Sequence, residues 1–155
     1  WLDFLDKYRK FIKEEIAPIC GDETGVVYQC PPTLRISMPA HAPTIKMHCD
    51  SGYDNHQEGE INFWVPITQV FGNNTLIVES EPNKGDFHHI EMDYGEFLKF
   101  NGYRCRHYTV ANDTDFTRIS FDFRVVPQSV YVELNKMGKI GDYCTESTGD
   151  VVLKN

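Results

Sequence analysis

The feature that most constrains the fold of this chain is a series of short β-branched and aromatic runs between residues 33 and 127, punctuated by Gly, Asn and Pro. Runs of this kind are typical of strands joined by turns. No long helical pattern interrupts them, which favours antiparallel sheets over alternating strands and helices. Eight such strands favour a jelly roll, the cupin-like double-stranded β-helix, because it leaves few exposed edges. The predicted strands are 33–38, 44–48, 60–67, 75–79, 88–92, 96–101, 105–110 and 117–126.

An amphipathic pattern precedes the strands. Within residues 1–17, apolar side chains such as Leu5, Tyr8 and Ile12 recur at spacings of three and four, with charged residues between them. This spacing predicts one helix whose apolar face packs against a sheet. Pro18 and Gly21 are predicted to end it.

These patterns predict one domain over residues 1–155, since a chain of 155 residues has room for a single core. Within it we expect the N-terminal helix in 1–20, the barrel in 33–127, and either a flap or a surface tail in 128–155. The first residue is Trp rather than Met, so we expect the chain to be a portion of a longer protein.

Charge and cysteine content narrow the partners and the compartment. The formal net charge of -8 disfavours nucleic acid and anionic membranes, which require clustered Lys and Arg. No apolar run is long enough for a membrane helix, so we expect a soluble protein with a small-molecule substrate. The five cysteines are scattered and form no CxxC pair, which favours a reducing cytoplasm over a disulfide framework.

Three residues form a candidate metal site. His48 and Asp50 are separated by one residue, so an extended segment projects both side chains to the same side. His107 opens a later strand that can lie across the barrel. Two imidazoles and one carboxylate are the ligands typical of a non-haem iron(II) site, which leaves positions open for a cosubstrate and oxygen.

Two other His-x-Glu pairs rival this set, and a His-x-Asp pair by itself is a weak signal. His56 and Glu58 lie in a polar, Gly-flanked loop, where a solvated surface role is the simpler interpretation. His89 and Glu91 share a strand face, but no arginine follows them in a matching arrangement.

An arginine downstream favours the first set. Arg118 and Ser120 lie eleven and thirteen residues after His107 and share a strand face. The planar guanidinium and the hydroxyl together suit a carboxylate such as the distal one of 2-oxoglutarate. Arg35 and Ser37 repeat the Arg-x-Ser pattern, so the pattern by itself has no specificity.

The order His48-x-Asp50, His107, Arg118-x-Ser120 resembles that of the iron(II), 2-oxoglutarate-dependent oxygenases. The segments 60–66, 74–80, 105–109 and 120–124 resemble the streptomycin-biosynthesis-type, phytanoyl-CoA-hydroxylase-like branch of that superfamily. The resemblance covers about residues 33–127, the whole predicted barrel.

This resemblance implies a double-stranded β-helix that uses Fe(II), 2-oxoglutarate and O2, and that decarboxylates 2-oxoglutarate to succinate while hydroxylating a small polar metabolite. It also implies a role for each matching residue. The metal ligands are His48, Asp50 and His107; the cosubstrate contacts are Arg118, Ser120, Thr109 and Asn62; the substrate contacts are Trp64 and Glu79.

Two alternatives stay open on the residues alone. A jelly-roll module can bind a carbohydrate or another small ligand without turnover. A cupin-type metalloenzyme can act without a cosubstrate, but such sites usually carry two histidines separated by one residue, and no His-x-His pair occurs here.

Overall fold

The computed structural model describes residues 2–40, 42–54 and 56–131, together with the backbone of a short strand at 151–152. It is mainly β, with antiparallel sheets and an N-terminal helix, which confirms that part of the prediction. The strands are β1 Val26–Tyr28, β2 Thr33–Ser37, β3 Ile61–Pro66, β4 Ile77–Val78, β5 His88–His89, β6 Leu98–Phe100, β7 His107–Tyr108, β8 Arg118–Pro127 and β9 Val151–Val152.

The N-terminal helix runs further than Pro18, so the prediction that Pro18 ends it is wrong. It consists of α1 (Leu2–Phe11), a π-helical turn (Ile12–Ile16) and α2 (Ala17–Cys20). The N–H of Ala17 bonds the carbonyl of Ile12, and this wider turn accommodates the proline ring. Gly21, with φ of +75°, then ends the helix. Among the described helices, none has the length and apolar character needed to cross a bilayer.

The strands form two antiparallel sheets. In the larger sheet the order is β6, β3, β8, β1, β9, and β2 also pairs with β8; the smaller sheet has the order β5, β4, β7. The long strand β8 pairs along one edge with β3, while its other edge pairs first with β2 and then with β1. One strand therefore organises most of the larger sheet.

The two faces of β8 differ in chemistry because successive side chains alternate in direction. On one face Phe123 and Val125 are fully buried against the N-terminal helix, where Phe123 stacks on Phe63 with ring centroids 5.4 Å apart and meets Tyr8 edge-on at 5.3 Å. The opposite face carries polar side chains toward the smaller sheet. This polar row consists of Arg118, Ser120, Asp122 and Arg124.

We expect Phe123→Ala to lower the free energy of unfolding by about 3–5 kcal/mol, because it removes a ring with no exposed surface from the helix-sheet interface. Urea denaturation measures the loss. Phe116→Ala is the control, since the ring of Phe116 is 63% exposed and its loss should cost under about 1 kcal/mol. Equal losses in the two variants would contradict this placement of the core.

The observed strands differ from the predicted ones most clearly at residues 44–48 and 26–28. Residues 44–48 form no strand and make only an isolated bridge, His48 to His107, because the hydroxyl of Thr109 accepts the backbone N–H groups of Thr44 and Ile45 (both 3.0 Å) in place of ladder bonds. Strand β1 was not predicted, since three residues are too short for a periodic signal.

The predicted flap or tail lies mostly at 132–150 and 153–155, outside the described residues. Within its range, strand β9 pairs with β1.

Candidate metal centre

The structure brings His48, Asp50 and His107 together. His48 and His107 exchange both backbone hydrogen bonds (3.2 and 2.9 Å), so they lie directly opposite each other with ring centroids 4.3 Å apart. Asp50 begins the 3₁₀ turn Asp50–Gly52. Its Oδ1 lies 3.4 Å from Nε2 of His48 and 3.6 Å from Nε2 of His107. One potential ligand atom from each of the three predicted residues thus lies within 4.8 Å of the other two.

The second nitrogen of each imidazole is directed at a backbone carbonyl. Nδ1 of His48 lies 2.7 Å from the carbonyl oxygen of Lys46, and Nδ1 of His107 lies 3.1 Å from that of Cys105. Each Nδ1 carries the proton in these contacts, because two acceptors would repel each other. Both Nε2 atoms therefore present lone pairs toward Asp50, an arrangement common to metal-ligating histidines.

The Asp50 Oδ1 atom is buried and has no hydrogen-bond partner among the described residues. A buried carboxylate oxygen without a donor is costly, and two imidazole lone pairs beside it add further repulsion. A cation bound to all three atoms relieves both. The donor set and this orphaned oxygen therefore fit a divalent transition metal.

Burial and neighbouring charges set the protonation of the three groups. Burial, above all, lowers the pKa of His107 to about 4. Burial would raise the pKa of Asp50, but the interaction with His48 and the charges of Arg124 and His107 hold it well below its usual range. The neighbouring Asp50 carboxylate raises the pKa of His48 despite partial burial. His107 and Asp50 are therefore ready for a metal near neutral pH, whereas a proton on His48 competes with it.

We expect metal affinity to rise with pH and then level off once His48 loses its proton. Below the pKa of His48, whose folded value is raised above 6.5, affinity should fall about tenfold for each pH unit. Cobalt(II) titrations followed by visible absorption measure it between pH 6 and 8.5. A His89→Gln variant, altered at an exposed imidazole, should give the same curve, and a pH-independent affinity would contradict the assignment of His48.

The other oxygen of Asp50 is fully engaged by protein donors. Asn62 donates from Nδ2 to Oδ2 (2.7 Å), and Arg124 donates from Nε and Nη2 (both 3.2 Å). The Asn62 carbonyl oxygen in turn accepts the N–H of Gly102 (3.0 Å), where a Cβ would lie within 2.6 Å of the Asn62 side chain. These bonds hold Asp50 as a single-oxygen ligand. Both ends of the Asn62 amide thus help to position Asp50, and the predicted cosubstrate contact of Asn62 stays a prediction.

Arg124 was not predicted as a site residue. It lies opposite Asn62 in the pairing of β3 with β8, and its Nη1 also donates to Asp122 (2.8 Å), which binds Arg35 (2.5 and 3.3 Å). The alternation in residues 120–124 was a usable signal, since it places Asp122 and Arg124 on the face opposite the phenylalanines.

We expect Arg124→Met to weaken metal binding by roughly 10–100-fold, the usual effect of losing a partner that orients a ligand. Without the guanidinium, the Oδ2 atom of Asp50 is free to rotate toward the metal or away from it. Cobalt(II) titration measures the affinity, and Arg9→Met, an exposed change on α1, is the matched control. Unchanged affinity in Arg124→Met would show that Asn62 alone fixes the carboxylate.

Arg118 is fully buried, and none of its three guanidinium nitrogens has a hydrogen-bond partner among the described residues. The same is true of the Ser120 hydroxyl and the Trp64 indole N–H. The guanidinium lies over the Trp64 ring, 5.6 Å from its centroid, and burial lowers the pKa of Arg118 to about 10. A buried cation surrounded by donors that have no acceptor among the described residues is suited to binding an anion.

The two Arg-x-Ser segments are neighbours. Antiparallel pairing of β2 with β8 sets Arg35 opposite Ser120, and Ser37 opposite Arg118. Cross-strand partners share a face of the sheet. The Arg35-x-Ser37 segment, whose pattern alone has no specificity, therefore places a second arginine on the same face as Arg118. Arg35 lines the pocket that contains the metal ligands.

This metal pocket has a volume of about 510 Å³ and is also lined by Trp64, Asn62 and Phe100. The structure shows protein partners for two further predicted contact residues, Thr109 and Glu79, whose predicted roles stay predictions. The Thr109 hydroxyl is bound to the backbone of residues 44 and 45. Glu79 neither lines this pocket nor reaches solvent, because its buried carboxylate accepts hydrogen bonds from Arg106 and from the N–H of Gly85.

The two rival histidines, His56 and His89, differ in their burial. His89 is exposed. The predicted solvated role of His56 is wrong, because His56 is buried and its Nδ1 lies 2.6 Å from Oε2 of Glu60. With Asp50 these two form a second ligand-type group. Arg124 already occupies the Asp50 oxygen on that side, and its positive charge disfavours a cation there.

No protein-family model matches the chain. The chain is 38% identical over 130 residues to the streptomycin biosynthesis protein StrG of Streptomyces griseus, an alignment that covers 83% of this chain and 61% of that protein. The chain therefore spans less than two thirds of the length of this curated relative.

Solved structures with the same fold include non-haem oxygenases and related enzymes. The epimerase SnoN, solved with Fe3+, alpha ketoglutarate and nogalamycin RO, matches with a TM-score of 0.59 at 16% identity, over 96% of this chain and 69% of its own. The non-haem monooxygenase ThoJ, solved with nickel, matches at 0.55 and 18%, over 67% and 45%. The carbocyclase SnoK from nogalamycin biosynthesis matches at 0.51 and 13%, over 79% and 59%. At these identities the likeness shows a shared fold.

Proposed function

We propose that this protein is a non-haem iron(II), 2-oxoglutarate-dependent oxygenase on a jelly-roll barrel, of the streptomycin-biosynthesis-type branch. The observation that carries the proposal is the pairing of a three-ligand centre with a buried guanidinium that lacks an anion. A cation site alone suits many metalloproteins. Arg118 has no hydrogen-bond partner among the described residues and lies against Trp64, which lines the pocket. This arrangement suits a ligand with a carboxylate at one end and a metal-chelating group at the other, which describes 2-oxoglutarate.

In this proposal His48, Asp50 and His107 hold the iron, which with 2-oxoglutarate supplies the activation of O2. Arg118 and Ser120 bind the distal carboxylate through a charge-assisted fork and a hydroxyl. The Trp64 ring lies over the guanidinium and keeps water from it, so these hydrogen bonds form in a medium of low dielectric. Asn62 and Arg124 restrict Asp50 to one ligating oxygen and so leave metal positions open for the cosubstrate and oxygen.

The reaction proposed is hydroxylation of a small polar metabolite in the cytoplasm, with succinate and carbon dioxide released. The cysteines Cys20, Cys49 and Cys105 are free thiols, which supports a reducing compartment. Structures with this fold include an epimerase and a carbocyclase, so the mass of the product decides the reaction: a gain of one oxygen atom supports hydroxylation, and an unchanged mass supports epimerisation.

Anaerobic titration of the protein with iron(II) and 2-oxoglutarate tests the proposal. We expect a metal-to-ligand charge-transfer band in the visible, and succinate release once air is admitted. A jelly-roll binding module and a cupin-type metalloenzyme without a cosubstrate would give neither signal. Absence of the band at saturating iron and cosubstrate would refute the proposal.

A further inference from the structure

The metal pocket is more positively charged than the protein around it. Arg35, Lys46 and Arg124 line it against two carboxylates, Asp50 and Asp122, and the buried Arg118 lies behind Trp64. The whole chain, by contrast, has a formal net charge of -8. A cationic pocket in an acidic protein concentrates anions at its mouth and repels cations.

Most of these charges have partners. Arg35 and Arg124 are paired with Asp122, and Arg124 also with Asp50. In the proposed function, a divalent metal and Arg118 bind the two carboxylates of the cosubstrate. The remaining nearby acid, Glu60, is bonded to His56 and to the N–H of Gln57, and it lines the neighbouring cavity of about 650 Å³.

Lys46 is the cation lining the pocket for which no described residue is a partner. Its side chain is exposed, and its ammonium makes no hydrogen bond or ion pair with any residue that the structure describes. Asp50 and His107 lie buried in the pocket, whereas Tyr53, whose ring lies 5.5 Å from that of His48, is 53% exposed. Lys46 and Tyr53 therefore mark the open mouth.

The position of Lys46 relative to the metal is fixed by the backbone. Lys46 lies two residues before His48, and its carbonyl accepts the proton of His48 Nδ1 (2.7 Å). Two residues of chain span at most about 7 Å. The ammonium can therefore meet a ligand group roughly 6–10 Å from the metal, beyond the metal's own ligands but within one small molecule of it.

We propose that the primary substrate is a small organic anion whose carboxylate or phosphate binds Lys46 at the pocket mouth while its reacting carbon lies over the metal. This inference rests on the proposed function, since it assumes that 2-oxoglutarate fills the site of Arg118. It names the charge that the substrate must carry. A neutral or cationic metabolite leaves Lys46 uncompensated.

Phosphorus-31 relaxation of inorganic phosphate, added to protein loaded with Mn(II) and 2-oxoglutarate, tests this. We expect paramagnetic broadening that corresponds to a Mn–P distance of roughly 6–10 Å. Lys46→Met should weaken phosphate binding about tenfold, the loss expected for one charge-assisted hydrogen bond, and Lys46→Arg should restore most of it. Lys13→Met removes the same charge from the exposed face of the N-terminal helix and should change nothing. A parallel titration with carboxyl-labelled acetate shows which anion is preferred.

Three results would overturn the inference: no broadening, equal broadening in Lys46→Met, or a distance near 3 Å, which identifies phosphate as a direct metal ligand. The iron(II) and 2-oxoglutarate charge-transfer band separates this failure from that of the proposed function, because Lys46 contacts neither group. If the band forms and Lys46 has no effect on phosphate, only the anionic substrate is refuted. If the band never forms, the oxygenase proposal itself fails.

Discussion

Asp50→Asn is expected to abolish iron binding at micromolar metal and with it the charge-transfer band. The carboxylate is the one anionic ligand in the centre, and its Oδ1 already faces both imidazole Nε2 atoms. An amide of the same shape removes the charge, which is worth several kcal/mol in a buried site. We expect metal affinity to fall by at least about 100-fold, since every 1.4 kcal/mol is tenfold.

The measurement is a paired titration with cobalt(II) and with iron(II) plus 2-oxoglutarate. Asp115→Asn is the matched control, because Asp115 is exposed and its amide should leave both titrations unchanged. Circular dichroism of each variant excludes unfolding as the cause. A charge-transfer band of normal intensity in Asp50→Asn would mean that the metal binds elsewhere.

Arg118→Met is expected to change two properties in opposite directions. It removes a fork of donors from the cosubstrate carboxylate, and two lost charge-assisted hydrogen bonds of about 1.5–3 kcal/mol each weaken 2-oxoglutarate by roughly 100-fold or more. It also removes an unpaired buried charge, so the protein without ligands should gain about 1–4 kcal/mol of unfolding free energy. A structural arginine would show a loss of stability instead.

Urea denaturation without ligands and 2-oxoglutarate titration at saturating iron(II) measure the two effects separately. Arg104→Met is the control, since Arg104 is half exposed and paired with Glu58 at the surface, and neither property should move by much. If Arg118→Met destabilises the protein without ligands, or binds 2-oxoglutarate normally, the proposed carboxylate site is wrong.

The grouping of the candidate metal ligands could be predicted because most of its signals are local. His48 and Asp50 lie two residues apart, and Arg118 and Ser120 share a strand with the same period, so alternation alone places each pair on one face. The fold must also bring His107 close to His48 and Asp50, and the two backbone hydrogen bonds between His48 and His107 do this. The N-terminal helix and most strands were predictable for the same reason.

The supporting residues could not be predicted because their roles depend on strand register and on hydrogen-bond partners far along the chain. Arg124 becomes a partner of Asp50 only through a contact across 74 residues. Asn62 and Thr109 carry polar groups suited to a cosubstrate, yet protein groups take them up. His56 looked solvated among polar neighbours, and only the fold shows that Glu60 meets it in the interior.

The alternation along β8 has a consequence for how this protein can evolve. Phenylalanines on one side and charged residues on the other are assigned by odd and even position, so inserting or deleting a single amino acid would reverse the two sets. Aromatic rings would then fill the pocket that contains the candidate metal ligands, while guanidinium groups faced the helix. A point substitution alters one face of this strand, whereas inserting or deleting one residue reverses both faces at once. Tolerated insertions and deletions should therefore involve even numbers of residues or fall in the flanking turns.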